Sequence, residues 1–188
     1  MISIPSLRTQ RLELVAGNVE MAQAELHDKN KLASLLMAEV PDNWPPPLND
    51  AQSAKWFADY LTQNPDAVGW IGWYFILTVQ NGRRAAIGNG GFKGKPDLSG
   101  TVEIGYSIME QHQRKGYAPE AVTALLAWAF AHSDVKRIIA QTFPDLHPSI
   151  RVLEKSGFLF AGKGLEEGAI LFELPREKWV GQPVEKSS

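Results

Sequence analysis

Gln113-Arg114-Lys115-Gly116-Tyr117-Ala118-Pro119-Glu120 is the stretch that most narrows what this chain can fold into. Thr101 to Ile108 before it reads as a strand. Pro119 to His132 reads as the clearest helix, with Val122, Leu125, Leu126, Ala129 and Phe130 at helical spacing. Gly116 lets the backbone bend with no side chain in the way of a close ligand. Ala118 keeps the next turn small, and Pro119 loses nothing at a helix start, where its missing donor would have no partner. Successive free amides and the helix dipole can then face a diphosphate, with Arg114 and Lys115 adding positive charge. The same residues also describe a capped helix after an exposed polar loop, and a phosphate cradle fits nucleotides as well. The glycine spacings of the nucleotide-hydrolase phosphate loop and of the dinucleotide fingerprint are absent.

Strands and helices are mixed along the rest of the chain. Thr9 to Val15 alternates polar and apolar residues as a first strand. Val19 to Ala38 carries helical periodicity, divisible into two short helices. Val40 to Pro47 cannot continue a helix, because proline lacks an amide hydrogen and clashes with the previous turn. Asn49 or Asp50 can cap a helix from Ala51 to Leu61, with Trp56, Phe57, Tyr60 and Leu61 on its apolar side. Trp70 to Val79 is a buried strand and Asn81-Gly82 a tight turn. Arg84 to Phe92 is the partner strand, where Gly88, Gly90 and Gly91 signal a bulge or a close backbone approach. Val135 to Thr142 is a strand, and Pro148 to Lys155 a short helix ended by Ser156-Gly157. Phe158 to Ala161 and Ala169 to Leu174 are the last strands. The pattern is that of one α/β (α+β) domain over residues 1–178, with a frayed tail over 179–188.

Composition removes several classes of function. The 188 residues suit one sizeable core. With 44% hydrophobic and 21% charged residues, the body of the chain is not disordered. A formal charge of -2 gives no support for a general nucleic-acid binder. Having no cysteine excludes disulfides, thiolate nucleophiles and thiolate metal sites, and fits a reducing compartment. The start lacks the basic and apolar regions of a signal peptide, and the apolar run Trp70 to Leu77 is far too short to span a bilayer. The four histidines make no recognised metal spacing. A cytoplasmic protein without a metal, a nucleic-acid partner or a membrane partner is expected, as monomer or homodimer.

In three fixed places, Gln113, Gly116 and Ala118, the turn resembles the Gln/Arg-x-x-Gly-x-Gly/Ala signature of the GNAT acetyltransferase superfamily. Val102 to Ile108 resembles the fourth strand of its ribosomal-protein amino-terminal (RimJ/RimL-like) branch. Ser149 to Phe158 resembles that branch's closing helix and next strand, and Thr9 to Leu14 its opening strand. The ordered resemblance covers roughly residues 9 to 174. It implies a mixed, mostly antiparallel sheet of six or seven strands, splayed between the fourth and fifth, with helices on both faces. It also implies acetyl-coenzyme A in that gap as cosubstrate. The pantetheine arm would pair with backbone about Ile108, Met109 and Glu110. The pyrophosphate would meet the amides across Gln113, Arg114, Lys115, Gly116, Tyr117 and Ala118.

The implied chemistry is acetyl transfer to a primary amine by direct attack on the thioester once both are held in line. The resemblance places a carboxylate near the fourth strand, and Glu103 is the leading general base. Period-two geometry puts Gly105 and Ser107 on its face, leaving room for substrate or water. A Glu satisfied by an Arg, or simply exposed, is the duller reading. The family's acidic-side tyrosine falls here on Leu153 and its asparagine on Leu146, and neither serves. Ser149 matches the branch's serine as cofactor contact or proton donor, and fits a helix cap equally well. Arg151 reads as a phosphate contact or a surface pair. His112 and His147 lie beside these elements and fit polar loop positions, while His27 and His132 read as helix or helix-end residues.

The acceptor side is less defined. Trp44, Trp56, Trp70 and Trp73 read as core, although Trp44 to Leu48 could line the acceptor groove. Asp42, Asp50 and Asp59 could attract a cationic amine, and Gly90-Gly91-Phe92 could border it. A protein amino terminus and a small-molecule amine both fit. A catalytically inactive acyl-coenzyme A-binding regulatory module is the alternative, and a nucleotide-binding interaction protein a more distant one.

Overall fold

Apolar side chains at alternate positions of a strand bury opposite faces of a sheet, and Ile71–Thr78 shows this at full strength. Trp73, Phe75 and Leu77 enter one core, and Tyr74 and Ile76 enter another on the opposite face. A strand covered on both sides needs an almost continuous apolar run, which this one has. The computed structural model describes residues 4–79 and 82–181. Asn81 of the expected tight turn and residues 182–188 of the expected tail lie outside the described residues.

The sheet has eight strands. Ser6–Arg8 (β1), Leu12–Ala16 (β2), Ile71–Thr78 (β3), Arg84–Lys93 (β4) and Thr101–Ile108 (β5) pair in order, all antiparallel. Arg137–Thr142 (β6) then joins β5 in parallel. Leu159–Lys163 (β7) forms the far edge, and Ile170–Pro175 (β8) lies between it and β6. Six or seven strands are expected from sequence. The addition is β1, three residues at the edge, too short to give a periodic signal.

Among the described residues, five α-helices cover the two faces. Val19–His27 (α1), Lys29–Leu36 (α2) and Ala51–Gln63 (α3) begin at Asn18, Asp28 and Asp50, whose side chains accept from the amides of Met21, Lys31 and Ser53. Asp28 is also the last cap of α1, which splits the helical stretch in two. Tyr117–Phe130 (α4) supplies Ala121, Val122, Leu125, Leu126 and Trp128 to the first core. His147–Lys155 (α5) packs on α4 and β6. On the opposite face, α1 and α2 bury Met21, Ala24, Leu32 and Leu36 beside Tyr74 and Ile76. No helix among the described residues is long and apolar enough to cross a membrane.

Three of the four N-terminal tryptophans are core, as expected, and Trp56 is not: it is 48% exposed on α3. Trp70 and Trp73 both meet the Trp128 ring of α4, at centroid distances of 4.7 and 5.4 Å. Trp179, at the start of the expected tail, stacks near Phe130 at 5.7 Å and is tied to the body.

The partnership of β5 and β6 is brief. Thr101, Val102 and Glu103 pair with Arg137, Ile138 and Ile139, and no further pair follows. From Ile104 to Ile108 the edge of β5 facing β6 has no strand beside it, while β6 continues against β8 to Thr142. The sheet therefore splays at the junction that the resemblance implies.

One carboxyl borders the second core. Glu25 of α1 accepts from Trp44 Nε1 at 2.6 Å and from the Tyr74 hydroxyl at 2.8 Å. Burial raises its pKa above the ordinary 4.5, against the lowering effect of those two bonds. The folded state thus holds this proton more tightly than the unfolded chain. The stability it brings is complete below the unfolded value and is lost as pH rises through the folded one. Glu25→Gln keeps an acceptor for Trp44 and cannot ionise. The decline in urea midpoint as pH rises above 4.5 should be shallower in the variant than in the parent, and equal slopes would contradict the assignment.

Candidate active site in the opening between two strands

Where β6 leaves, the outward backbone groups of β5 lose their partner. Met109 N donates to Ile87 O at 2.8 Å, so alternate residues back along β5 turn their amides and carbonyls to β4. Tyr106 and Ile108 turn theirs into the opening. Gln113 Nε2 donates to Ile108 O at 2.9 Å and so closes the far end. Of the three residues expected along the pantetheine arm, Ile108 faces the opening and Glu110 is exposed. Met109 sends its amide to β4 and its side chain into the second core.

Beyond Gln113 the backbone curls into a nest. Arg114 and Gly116 take left-handed φ values of 59° and 83°. A left-handed conformation is costly for a residue with a Cβ and recurs at functional sites, so Arg114 is the strained member. The amides of residues 114–118 have no acceptor among the described residues, and α4 has no side-chain cap. Helix-start amides have no intrahelical acceptor, and here they are left open together with the turn before them. Such a run of open amides can cradle an anion.

A clamp missed from sequence holds the cradle. Glu120, in the first turn of α4, accepts from Thr9 Oγ1 at 2.6 Å, Arg11 N at 2.8 Å and Arg11 Nε at 2.7 Å. Arg11 Nη1 donates to Lys115 O at 2.8 Å, and its guanidinium lies 4.5 Å from the centre of the Tyr117 ring. The start of β2 thereby fixes the turn to the helix. The one available signal was a charged pair in segments already recognised as strand start and helix start, more than a hundred residues apart. Lys115 folds back onto Gln111 O, and the Arg114 side chain is exposed. His112 Nδ1 is buried with no partner among the described residues. Burial, then Lys115, lowers its pKa, so the ring is neutral near pH 7.

On the face of the sheet that carries α1 to α3, Glu103 stands at the last paired position of β5. Its Oε1 receives Lys93 Nζ at 2.6 Å and Gln141 Nε2 at 3.1 Å. Oε2 has no partner among the described residues. Gln141 in turn accepts from Leu165 N at 2.5 Å and Glu166 N at 3.1 Å, tying the β7–β8 connection to the carboxylate. Glu166 also reaches Lys93 at 3.3 Å. Four residues along the same face, about 13 Å away at strand spacing, Ser107 Oγ donates to Pro47 O at 2.5 Å. The Asn49 and Asn89 side chains pair beside it. Between these two clusters lies Gly105, where an added Cβ would meet nothing within 4 Å. A glycine-floored groove thus opens beside Glu103. The expected border Gly90 instead packs against Gly105 O, 2.7 Å from where its Cβ would stand.

The other face meets α5. Tyr106 sends its hydroxyl across the opening to Ser149 O at 3.2 Å, with Ser149 Oγ at 3.4 Å. Burial pushes the Tyr106 hydroxyl up to about 12. Ser149 is not a cap: Leu146 occupies that position and no side chain bonds there. Leu153 is buried in the core, and Arg151 is exposed with no partner among the described residues. His147 opens α5, and His132 packs on Trp128 as a helix-end residue. No group of three His, Asp or Glu suited to a metal occurs among the described residues.

A concavity of about 730 Å³ lies outside this opening, lined by Arg8, Arg11, Arg84 and Tyr117 among others. Two of its three arginines are engaged, Arg11 with Glu120 at 2.6 Å and Arg84 with Glu13 at 2.8 Å. The Arg8 side chain and the buried Nε of Arg84 have no partner among the described residues, so the concavity keeps free donors beside these pairs.

Comparison with known proteins agrees with the geometry. Residues 18–159 match the acetyltransferase (GNAT) domain family. An uncharacterized N-acetyltransferase of Bacillus subtilis, YjdG, is 31% identical over 160 residues, covering 85% of this chain and 93% of that protein. The ribosomal-protein-S5-alanine acetyltransferase of Vibrio fischeri shares the fold at a TM-score of 0.63 and 20% identity, over 93% of this chain and 98% of that one. A spermidine N-acetyltransferase chimera from Vibrio cholerae and hSSAT reaches the same TM-score, 0.63, at 15% identity, over 92% of this chain and all of that one (100%).

Glu120→Ala should release both Thr9 and Arg11 and loosen the turn; if the turn holds the diphosphate of coenzyme A, affinity for it should fall about tenfold or more, as expected when charge-assisted bonds of about 1.5–3 kcal/mol are lost. Calorimetric titration reads the change, and unaltered affinity would remove the clamp from the site. Two glycines of the sheet should also separate. In Gly88→Ala the new Cβ meets Ser107 O at 2.5 Å, so a loss of about 1–3 kcal/mol is expected. Gly105→Ala should keep the parent's denaturation midpoint or exceed it while impairing acceptor turnover.

Proposed function

This chain belongs to the GNAT acetyltransferase family, and from that premise we propose that it carries acetyl groups from acetyl-coenzyme A to a primary amine through the β5–β6 opening. The observation that carries the reading is the run of open amides over residues 114–118 at the start of α4. Their partial positive charge suits a diphosphate. The backbone of Tyr106 and Ile108 suits the amides of a pantetheine arm, and Ser149 and Arg151 stand on α5 across from it. Acetyl-coenzyme A supplies the activated acetyl group, so no protein nucleophile is needed.

Glu103 is the general base in this reading. Lys93 and Gln141 hold one carboxylate oxygen and leave Oε2 to take a proton from the incoming ammonium, directly or through water. Lys93 also offsets part of the charge of Glu103 and Glu166, so the groove beside Gly105 is polar without being strongly anionic. That environment suits an acceptor with a single amine, whether a protein amino terminus or a small molecule. A similar fold serves spermidine in one neighbour and a ribosomal-protein alanine in another, so the acceptor must be read from groove residues. Of the acids expected to attract it, Asp50 caps α3 through Ser53 and Asp59 pairs with Lys55 at 2.5 Å. Both are engaged within α3.

An acetyl-coenzyme A turnover screen against amino-terminal peptides, amino acids, polyamines and aminoglycosides tests the reading. Transfer to at least one class is expected. Coenzyme A binding with no transfer across the panel would favour the inactive-module alternative. With a productive acceptor, Glu103→Gln should lower kcat by about 10²–10⁴-fold. Near-parental rates would reject Glu103 as base.

A further inference from the structure

We propose that Tyr106 is the hydrogen-bond donor to the departing thiolate of coenzyme A, acting from the face of the sheet opposite Glu103. The proposal rests on the reading of the β5–β6 opening as the acetyl-coenzyme A site.

Side chains alternate along a strand, so Glu103 and Tyr106 project to opposite faces of β5. In a continuous sheet the neighbouring strand would separate them. Here β6 pairs only as far as Glu103, and no strand fills the space beside Tyr106. Both groups therefore border one opening, the carboxylate on the side of the glycine-floored groove and the hydroxyl on the side of α4 and α5. The ring of Tyr106 packs against the first core, which fixes its direction.

Its present bonds are long. Hydroxyl-to-oxygen bonds cluster near 2.7–2.8 Å, and those to Ser149 O and Oγ measure 3.2 and 3.4 Å. A donor held in place by packing and weakly partnered is ready to turn to a better acceptor, and an anionic sulfur is one. The neighbouring α5 position offers no rival, because Leu153 is apolar and buried.

The hydroxyl donates without giving up its proton. With a pKa of about 12 against roughly 8.5 for a thiol, full transfer would be uphill by more than three units. The incoming ammonium passes its first proton through Glu103 to solvent; then, as the C–N bond forms and the C–S bond breaks, the bonding pair goes to sulfur and the second amine proton to Glu103. Coenzyme A leaves as the thiolate, hydrogen-bonded to Tyr106, and solvent sets its final protonation. No redox partner is required.

Binding of coenzyme A to the parent, Tyr106→Phe and Ser149→Ala is measured by calorimetry, and the bound thiol is titrated by its thiolate ultraviolet absorbance. In the parent the thiol should ionise about one to two pH units below free coenzyme A, the shift given by a hydrogen bond to a charged group. Tyr106→Phe should still bind and lose most of that shift, whereas Ser149→Ala should keep most of it. Binding with an unchanged titration in Tyr106→Phe overturns the role and leaves the site intact. Loss of binding in that variant alone marks a packing role, and a shift lost only in Ser149→Ala moves the donor to α5; either outcome overturns the proposal. No binding by the parent would remove the site itself.

Discussion

The pairing between β5 and β6 ends at Glu103, and the site depends on that ending. A parallel ladder offers evenly spaced backbone groups to its neighbour. When the neighbour turns away, the groups on the exposed edge must find water, a side chain or a ligand. Here Gln113 caps Ile108 O at one end, and the backbone groups of Tyr106 and Ile108 between remain unclaimed by strand. The unsatisfied edge is kept from collapse because both flanking strands are locked elsewhere, β5 along β4 and β6 along β8. The opening is therefore a property of the sheet's hydrogen bonding and is not carved out by loops.

Two long-range ties set its rims. Thr9 and Arg11, at the start of the chain, hold Glu120 and the Lys115 carbonyl, so the anion cradle is fixed to the opposite side of the sheet. At the other rim Gln141 uses both ends of its amide, giving Nε2 to Glu103 and Oε1 to the amides of Leu165 and Glu166. An amide with every group engaged is rigid, and so is the carboxylate it holds. The β7–β8 connection and Glu103 are thereby coupled through a single side chain. Movement of that connection would be felt first at Glu103.

Much of this was legible in the sequence for reasons that can be named. The bounds of β5 at Thr101 and Ile108 agree with its period-two pattern, and the cradle turn was marked by Gly116 beside Pro119. Helix α4 begins two residues before Pro119, since a proline within the first turn still costs no hydrogen bond. Gly105 was expected to leave room beside Glu103, and open space surrounds it. What could not be read were contacts between distant elements. Glu103 meets Lys93, a cation where an Arg was the duller guess, and Gln141 was one residue in an apolar strand. Tyr106 stood in plain view within the strand motif, yet only the splay reveals that its hydroxyl reaches α5. Trp56 was placed in the core by helical spacing, but α3 buries Ala58 and Leu61 and turns Trp56 outward.

In the proposed reaction the opening lets a polar step take place in an apolar sheet. Charge appears on both sides of the thioester when an amine attacks it, positive at nitrogen and negative at sulfur. A single-sided pocket would have to stabilise both signs with crowded groups, each perturbing the other. Alternation along β5 separates them: a carboxylate for the cation on one face and a neutral, firmly protonated hydroxyl for the anion on the other. The divergence of β6 from β5 lets the two faces communicate through the opening. Chain direction then orders the parts in the proposed reaction: a cofactor anchored at the start of α4 would run back along β5 toward Glu103, its reactive end at the place where the faces meet.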